Sequence, residues 1–327
     1  MRASTVKKVA ITGASGFLGS HMVRFLKQKK LYVRAILRSA NADTKKLYSL
    51  ADEVRSCDLS DAKKCDLVFK DIDHVYHFAA DMGGVGYFSK EQYIPFVSNM
   101  QMDLNVMESC RKNGVRRLFY PSSACAYPID AVTRFKKREK LSETMFVPAN
   151  PDQMYGWEKL VMLIASEYTP FETRVGVLHT IFGPGQQWEG KRAKFPPAIV
   201  YKVIQSKINN TPIHIWGNGK QVRTFLYITD ALEKIYRVMN KKGYWGPVNI
   251  SSDEQVTIKQ CVEWLCQYAG IKPRYIYETD KPTGVLLRGV DNKKFNSHYS
   301  YRNKVTTKKG FTLLYDTIYS QVTDRVV

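Results

Sequence analysis

Tyr155 and Lys159 form a candidate acid-base pair. They lie four positions apart, so one face of a helix presents both side chains. A free tyrosine has a pKa of about 10, too high for a base at neutral pH. A neighbouring ammonium favours the phenolate, as does an oxidised nicotinamide. The pair is typical of nicotinamide enzymes that oxidise an alcohol through a tyrosine base, and we predict that both residues also contact the cofactor.

A second segment, residues 121–128, adds a serine and a thiol. Ser123 follows a strand that we predict at residues 117–120, where its hydroxyl can donate a hydrogen bond to a developing ketone oxygen. Cys125 lies two residues further on. A simple alcohol dehydrogenase has no use for this thiol, whereas an enzyme that also moves a proton on carbon needs such an acid or base. The alternative for Cys125 is a small buried residue, as free cysteines often are.

A glycine-rich turn near the N-terminus predicts where a dinucleotide binds. Residues 9–12 predict a buried strand, residues 21–26 predict a helix, and three glycines lie between them. In this context the glycines allow a tight turn, close approach of the backbone to a pyrophosphate, and close packing of the helix on the strand. The helix N-terminus then favours the anion. The predicted cofactor contacts in this turn are Gly13, Ser15, Gly16, Phe17, Leu18 and Gly19.

The end of the second predicted strand bears on which nicotinamide cofactor binds. An NAD enzyme usually has an acid there, which binds the adenosine ribose hydroxyls, but this chain has Leu37 followed by Arg38. Arg38 could bind the extra phosphate of NADP, which an acid would repel. Arg38 could instead stack on adenine or face solvent, so the turn favours NADP and leaves NAD open.

Length and composition are those of a globular protein built as one bipartite unit or two domains. The chain has 327 residues, 44% of them hydrophobic, which suffices for a large core. No apolar run approaches the roughly 18 residues of a membrane span, and no signal-peptide pattern precedes the first strand. The six cysteines are scattered without metal-ligand spacing. We therefore expect no metal site, reduced thiols and a cytoplasmic location.

The net charge of +20 is compatible with nucleic-acid binding. The basic residues are spread over the whole chain, however, and the densest run is residues 134–140. The sequence has no zinc knuckle, no RNA-binding signature and no basic helix with heptads. We interpret the charge as a solvated basic surface that attracts anionic nucleotide ligands, without a nucleic-acid partner.

These motifs and several others follow the order found in one enzyme family. The chain resembles the extended short-chain dehydrogenase/reductase enzymes that act on sugar nucleotides, the NAD-dependent epimerase/dehydratase family, and among them the GDP-mannose 3,5-epimerases. The resemblance covers nearly the whole chain. Its most specific parts are the Asp-Met-Gly-Gly run at residues 81–84 and the pair Cys125 and Lys194. Further matching stretches are residues 122–128, 155–160, 182–185, 188–196, 216–225 and 248–254.

The resemblance implies a series of catalytic roles. Tyr155 would remove the proton of the sugar C4 hydroxyl as hydride passes to the nicotinamide, and the resulting 4-ketone acidifies the hydrogens on C3 and C5. Cys125 and Lys194 would then act as acid and base on opposite faces of the ring, as inversion requires. Hydride return would restore the alcohol. The implied reaction inverts C3, C5 or both in a GDP-hexose such as GDP-mannose and recycles the cofactor.

The resemblance also implies further contacts with the two ligands. Arg223 and Arg288 would bind the diphosphate, a task suited to the arginine fork, although a surface role is the alternative for Arg288. Gly83 and Gly84 would leave room for the sugar beside the nicotinamide. His179 is a candidate for substrate binding, with a core histidine as the alternative. The remaining implied contacts are Asp58, Leu59, Ala79 and Ala80 with the cofactor, and Ser123 and Lys194 with the substrate.

Other activities stay open. The turn at Arg38 also resembles that of GDP-fucose synthases, which epimerise C3 and C5 and then reduce C4 of a 4-keto-6-deoxy sugar nucleotide. Those enzymes have a histidine where this chain has Lys194. A 4,6-dehydratase usually has an Asp-Glu pair where this chain has Ala124 and Cys125, and a plain 4-epimerase would not need the thiol. Outside enzymology the rival is a Rossmann binding protein without activity, against which the intact serine, tyrosine and lysine set argues.

Alternating strands and helices up to about residue 178 predict an α/β fold: a doubly wound parallel sheet (Rossmann) with a smaller C-terminal substrate-binding lobe. The predicted dinucleotide-binding domain comprises residues 1–178 and 224–250, and the sugar-nucleotide lobe comprises residues 179–223 and 251–327. The substrate would lie between the lobes, outside the carboxyl ends of the strands. A homodimer through helices near residues 93–113 and 153–169 is expected from the resemblance.

Overall fold

A seven-stranded parallel sheet forms the centre of the computed structural model, which describes residues 8–39, 45–130, 140–286 and 288–324. The strands are β1 Lys8–Thr12, β2 Tyr32–Leu37, β3 Glu53–Ser56, β4 His74–His77, β5 Arg117–Ser123, β6 Glu172–Leu178, β7 Thr180–Phe182, β8 Ile213–Trp216, β9 Val222–Tyr227, β10 Val248–Ile250, β11 Gln255–Thr257 and β12 Tyr275–Glu278. The order in the main sheet is β10-β6-β5-β4-β1-β2-β3, and each neighbouring pair is parallel. The sheet is therefore doubly wound, and the predicted fold class is confirmed.

Helices connect the strands, as a parallel sheet requires. They are α1 Phe17–Gln28, α2 Lys45–Tyr48, α3 Ala62–Val68, α4 Val85–Phe88, α5 Tyr93–Lys112, α6 Gln153–Ser166, α7 Phe195–Asn209, α8 Ile228–Asn240, α9 Ile258–Ala269, α10 Lys293–Tyr299 and α11 Thr307–Thr323. None of these helices combines the length and the apolar character that a membrane span needs. Most of the basic run at residues 134–140 lies outside the described residues.

Two smaller sheets lie outside the main one. Strands β7 and β9 pair in parallel and β9 pairs with β11 in antiparallel fashion, while β8 and β12 form a separate parallel pair. One continuous apolar core joins Val9 and Met22 of the first strand and helix to Leu265 of α9 and Ile318 of α11. The division into two lobes at the boundaries given above stays a prediction.

The glycine turn after β1 leaves a helix N-terminus open to a ligand. Gly13 has φ of +61°, a backbone conformation that favours glycine. A Cβ on Gly19 would lie 2.1 Å from the Gly13 carbonyl oxygen, so only glycine lets α1 approach the turn this closely. Gly16 caps α1 without a side-chain hydrogen bond, and the first turn of α1 has no acidic residue. The first N–H groups of α1 are thus available to an anion.

Replacing Gly19 by alanine should destabilise the fold and weaken dinucleotide binding, because the new Cβ collides with the backbone of the turn. Overpacking of this kind costs about 1–3 kcal/mol, which urea unfolding measures. Ser20→Ala is the matched control, since it removes only a hydroxyl that donates to the Phe17 carbonyl oxygen at 3.3 Å. Equal stability of the two variants would contradict the packing argument.

Candidate active site

Helix α6 and the end of β5 bring the predicted catalytic tyrosine, lysine and serine together. The Tyr155 ring stacks on Phe88 of α4, with ring centroids 4.6 Å apart, and the Lys159 Nζ lies 5.8 Å from the Tyr155 ring centroid. Burial raises the pKa of the Tyr155 phenol above its ordinary value, whereas the Lys159 ammonium and the Ser123 hydroxyl lower it. The buried positive charge of Lys159 thus offsets part of the free-energy cost of burying a phenolate.

Gly156 is the reason that Tyr155 can lie beside Cys125. A Cβ on Gly156 would lie 2.3 Å from the Cys125 carbonyl oxygen, so glycine allows α6 to contact the short 3₁₀ helix Ala124–Ala126 directly. The Ser123 Oγ caps this short helix by accepting a hydrogen bond from the Cys125 backbone N–H at 3.2 Å. In that bond Ser123 Oγ is the acceptor, so its hydroxyl hydrogen can be donated to the Tyr155 oxygen, whose pKa it lowers, or to a substrate oxygen that lies between them.

A network of buried side chains surrounds the Lys159 ammonium. Its Nζ lies 2.5 Å from Glu158 Oε1 and 3.7 Å from Asp103 Oδ2, and it donates to Tyr120 Oη at 3.2 Å. Burial lowers the pKa of Lys159, but the Asp103, Tyr120 and Glu158 groups outweigh that effect and raise it well above its ordinary value. Burial raises the pKa of Glu158, while Lys159 and its other partners hold that of Asp103 low. Asp103 and Glu158 are thus the two buried carboxyl groups beside the Lys159 charge, and the pKa of Asp103 is the one held low.

Asp103 is held in turn by a chain of hydrogen bonds that leads back to β1. Its two oxygens accept from His77 Nε2 at 2.8 Å and from Tyr120 Oη at 2.8 Å. The Thr12 Oγ1 lies 2.6 Å from His77 Nδ1 and accepts from two backbone N–H groups, those of Phe78 and Ala79. The Thr12 hydroxyl hydrogen therefore points to His77 Nδ1, and the ring carries its own hydrogen on Nε2. This chain fixes Asp103 relative to the strand that precedes the glycine turn.

Cys125 lies among three cationic side chains. Arg288 Nη1 lies 3.6 Å from the Cys125 Sγ, and Lys194 and Arg223 are close enough to interact electrostatically with the thiol. Burial lowers the pKa of Lys194 against the effect of the thiol, and burial with Arg288 lowers the pKa of Arg223 to about 9. Lys194 also occupies the N-cap of α7, where the helix dipole disfavours its charge. The structure thus places Cys125, Lys194, Arg223 and Arg288 together.

Gly83, Gly84 and His179 are closely packed against other parts of the protein. A Cβ on Gly83 would lie 2.5 Å from the Tyr87 ring, and one on Gly84 would lie 2.6 Å from the Ala193 carbonyl oxygen. A side chain at either position would therefore meet protein, and the contact of the two glycines with a sugar stays a prediction. Burial lowers the pKa of His179 to about 3, and its Nε2 lies 3.0 Å from Asn249 Oδ1, so the ring is neutral.

The residues predicted to hold the cofactor fit a dinucleotide. Ser15 and Gly16 are exposed at the open N-terminus of α1, and the backbone N–H of Ala79 bonds to Thr12 beside the same turn. Arg38 and Asp58 are both exposed, and the Arg38 charge acts on the Asp58 carboxyl, so the two flank one surface at the ends of β2 and β3. A pyrophosphate suits the helix N-terminus and an adenosine suits this surface. Within the described part of the chain, no three His, Cys, Asp or Glu side chains are grouped as metal ligands.

Sequence reasoning missed three contributors to the site: Phe88, Asp103 and Arg192. Asp103 had a detectable signal, because Asn99 and Asp103 lie on the buried face of α5 with Val106 and Cys110, and a carboxylate on such a face needs a partner. Phe88 and Arg192 had no such signal, since their contacts depend on how two distant segments meet.

A doubly wound sheet with an open glycine turn, and a tyrosine and lysine at its carboxyl edge, is typical of enzymes that bind a nicotinamide dinucleotide. The chain belongs to the NAD-dependent epimerase/dehydratase family, whose model matches residues 9–250. It is 33% identical to GDP-mannose 3,5-epimerase of Arabidopsis thaliana over 96% of this chain and 83% of the relative. It is 24% identical to GDP-L-fucose synthase 1 of the same plant over 97% of this chain and 95% of the relative. The predicted family is confirmed.

Solved structures share the fold at lower sequence identity. UDP-glucose 4-epimerase of Thermotoga maritima, solved with UDP-glucose, matches with a TM-score of 0.83 and 21% identity over 96% of this chain and 99% of that one. UDP-glucose 4-epimerase of Thermus thermophilus, solved with NAD, matches with a TM-score of 0.78 and 21% identity over 95% of this chain and 98% of that one. These likenesses establish the fold.

Asp103→Asn should destabilise the protein by about 3 kcal/mol at neutral pH, because it removes one partner of a buried ion pair. The pKa of Asp103 is low in the folded state, so its contribution is present above the unfolded pKa of about 3.9 and is lost as pH falls through the folded value. Urea unfolding at neutral and acidic pH should show a difference from wild type that shrinks in acid. Asp52→Asn, which breaks the exposed pair with Lys27, should cost under about 1 kcal/mol. Equal losses from the two variants would contradict the network.

Proposed function

We propose that the chain is a nucleotide-sugar 3,5-epimerase acting on a GDP-hexose such as GDP-mannose. The observation that supports this most directly is the grouping of Cys125 and Lys194 at the site of Tyr155. A plain alcohol oxidation needs only the tyrosine, lysine and serine, whereas inversion at carbon needs an additional acid and base. The relatives named GDP-mannose 3,5-epimerase, at 33% identity, support the choice of sugar nucleotide.

In the proposed first step, Tyr155 removes the proton of the sugar C4 hydroxyl. The Lys159 ammonium favours the phenolate, and the buried Asp103 keeps Lys159 protonated. Ser123, which interacts with the Tyr155 oxygen in the absence of substrate, donates its hydroxyl hydrogen to the oxygen that becomes the 4-ketone. A bound nicotinamide dinucleotide supplies the hydride acceptor and, later, the donor.

In the proposed second step, Cys125 and Lys194 invert a carbon beside the ketone. The base takes the proton from C3 or C5, and the electron pair of the broken C–H bond moves onto the 4-keto group as an enolate. The acid then delivers a proton to the opposite face as the ketone re-forms. Arg223 and Arg288 hold the diphosphate in this proposal, and Arg288 also donates to the Cys125 sulfur.

A second candidate function is an epimerase-reductase like the GDP-fucose synthases. The turn at Leu37 and Arg38 favours it, as does the likeness to GDP-L-fucose synthase 1. That reaction consumes one reduced cofactor per product, whereas the 3,5-epimerase reaction returns hydride to C4 and consumes none. The six cysteines are free thiols, which supports a reducing compartment such as the cytoplasm for either enzyme.

Incubation with GDP-mannose in heavy water should place deuterium at C3, C5 or both, with no net change in reduced cofactor. Cys125→Ser and Lys194→Ala should each lower incorporation by about 100-fold or more while C4 oxidation persists, because neither residue serves the Tyr155 step. Lys220→Ala, which removes an exposed lysine, is the control. Nuclear magnetic resonance of the sugar measures the label. Stoichiometric use of NADPH on a 4-keto-6-deoxy sugar, with no reaction of GDP-mannose, would overturn the proposal in favour of the reductase.

The protein should bind NADP at least as well as NAD, because β2 ends at Leu37 and is followed by Arg38, without an acid at either position. Arg38→Ala should weaken NADP binding by about tenfold or more, the usual worth of a charge-assisted hydrogen bond, and should leave NAD binding nearly unchanged. Calorimetric titration of both cofactors measures this, with the exposed Arg24→Ala as control. A strong NAD preference that survives in Arg38→Ala would refute the NADP assignment.

An apolar stripe on α5 and α6 supports a homodimer as the form of the proposed enzyme. The outward residues of α6 and its end recur at intervals of four, three and four, which is one helix face. Exposed large apolar side chains are rare in such a row unless a partner covers them. A second copy presenting the same two helices would form an isologous four-helix contact. The exposed members are Tyr93, Ile94, Val97 and Leu104 on α5 and Trp157, Val161, Ile164 and Tyr168 on or after α6.

Ile164→Glu should convert the protein to a monomer, because the carboxylate would be buried without a partner at the dimer interface. Ile208→Glu on α7 is the matched control, since Ile208 is 48% exposed and Ile164 is 43% exposed. Sedimentation equilibrium measures the mass. A monomeric wild type, or a dimer that tolerates Ile164→Glu, would contradict this assignment.

A further inference from the structure

One guanidinium joins the segment that carries Lys194 to the segment between β4 and α4. Arg192 Nη1 forms an ion pair with the Asp81 carboxylate and donates to the Met82 carbonyl oxygen at 3.0 Å. Arg192 Nη2 donates to Tyr87 Oη at 3.0 Å, and the guanidinium lies 4.2 Å from the Tyr87 ring centroid. Tyr87 Oη donates to the other Asp81 oxygen at 3.1 Å, which closes the group. We call Asp81, Tyr87 and Arg192 the clasp.

The backbone next to Lys194 is packed against the same segment. The missing Cβ of Gly84 would lie 2.6 Å from the carbonyl oxygen of Ala193, the residue between Arg192 and Lys194. Gly83 likewise leaves space that the Tyr87 ring fills. The two glycines therefore permit the contact that the clasp secures, and Lys194 is fixed on its other side as the N-cap of α7.

The clasp is anchored in the interior through one buried amide. Asn99 of α5 accepts from the Asp81 backbone N–H at 2.6 Å and donates to the Asp81 carbonyl oxygen at 3.2 Å. Its second amide hydrogen goes to Glu158 Oε2 at 3.0 Å, beside Lys159. The amide of Asn99 thus forms hydrogen bonds both to Asp81 and to Glu158. These bonds fix Asp81 relative to α6, the helix that bears Tyr155.

We propose that the clasp is a positioning device for Lys194, which it holds beside Cys125 for the inversion step and which the oxidation step does not need. The inference rests on the proposed function. Arg192 is 46% exposed at its side chain, and exposed ion pairs contribute little to stability, so four contacts from one arginine serve placement rather than folding. A displacement of about 1 Å in a catalytic group can cost about 100-fold in rate.

Two rates measured on the same holoenzyme test the clasp. Arg192→Lys keeps the charge but loses the forked and stacked contacts, and Asp81→Asn removes the carboxylate. With GDP-mannose in heavy water, both variants should lose deuterium incorporation at C3 and C5 by about 100-fold. The rate at which reduced nicotinamide appears on rapid mixing should stay at the wild-type value, and KM should change little. Lys191→Ala, an exposed lysine next to Arg192, should change neither rate.

A second measurement needs no substrate. Lys194 lies near Cys125, so release of the segment that carries Lys194 should expose the thiol. The Arg192→Lys variant should therefore be alkylated at Cys125 about tenfold faster than the Lys191→Ala variant, because local opening of the segment becomes more frequent. The clasp is refuted if alkylation and incorporation stay at the wild-type values, or if both variants lose oxidation and incorporation equally. A wild type that exchanges no deuterium with any GDP-sugar refutes the proposed function instead, and the alkylation rates then decide on the clasp.

Discussion

The buried charge of Lys159 is the constraint on which the rest of the structure depends. An ammonium taken out of water costs several kcal/mol unless anions and hydrogen-bond acceptors replace its hydration. Here the replacements come from three directions: Asp103 on α5, Tyr120 on β5 and Glu158 on α6 itself. These three elements must therefore keep a fixed relation to one another. Tyr155, one helical turn from Lys159, is placed by the same requirement.

Close backbone contacts bring the residues proposed for oxidation and those proposed for inversion to one place. Gly156 allows the tyrosine helix to touch the Cys125 carbonyl, and Gly84 allows the Lys194 segment to touch the segment after β4. Each contact would be blocked by a single methyl group, which explains why glycine serves there. In the proposed enzyme, the oxidation site and the inversion site thus share one rigid frame, and the 4-ketone need not move between them.

Much of the fold was predictable because its signals are local. A strand, a glycine turn and a helix at the N-terminus predict a dinucleotide site from about a dozen residues, and Tyr155 with Lys159 predicts one helix face. The structure places Ser123, Cys125, Tyr155 and Lys159 together as these patterns suggest. Arg288 illustrates the limit: its contact with the Cys125 sulfur joins residues that are 163 positions apart, and no local pattern encodes such a pairing.

The same limit applies to the glycines and to the ion pairs of the site. The Asp-Met-Gly-Gly run was noticed for its resemblance to a family, and the expected reason for it was space for a sugar. The structure adds a packing reason, since a Cβ at either glycine would meet Tyr87 or Ala193. His77 and Asp103 could be suspected as polar residues on buried faces, but their partners depend on how β4, α5 and β5 pack. Long-range packing of this kind has no period in the sequence.

In the proposed reaction, hydride leaves C4 of the sugar and returns to C4 of the same molecule. A crossover experiment measures this hydride return. GDP-mannose with deuterium at C4 is mixed with unlabelled GDP-mannose and with the enzyme carrying bound cofactor. Mass spectrometry then measures the deuterium content of the products. We expect epimerised product that keeps its C4 deuterium without added reduced cofactor, with no transfer of label to unlabelled molecules beyond the single bound cofactor. Loss of the C4 deuterium during turnover, or turnover that stops unless NADPH is supplied for each product, would contradict it.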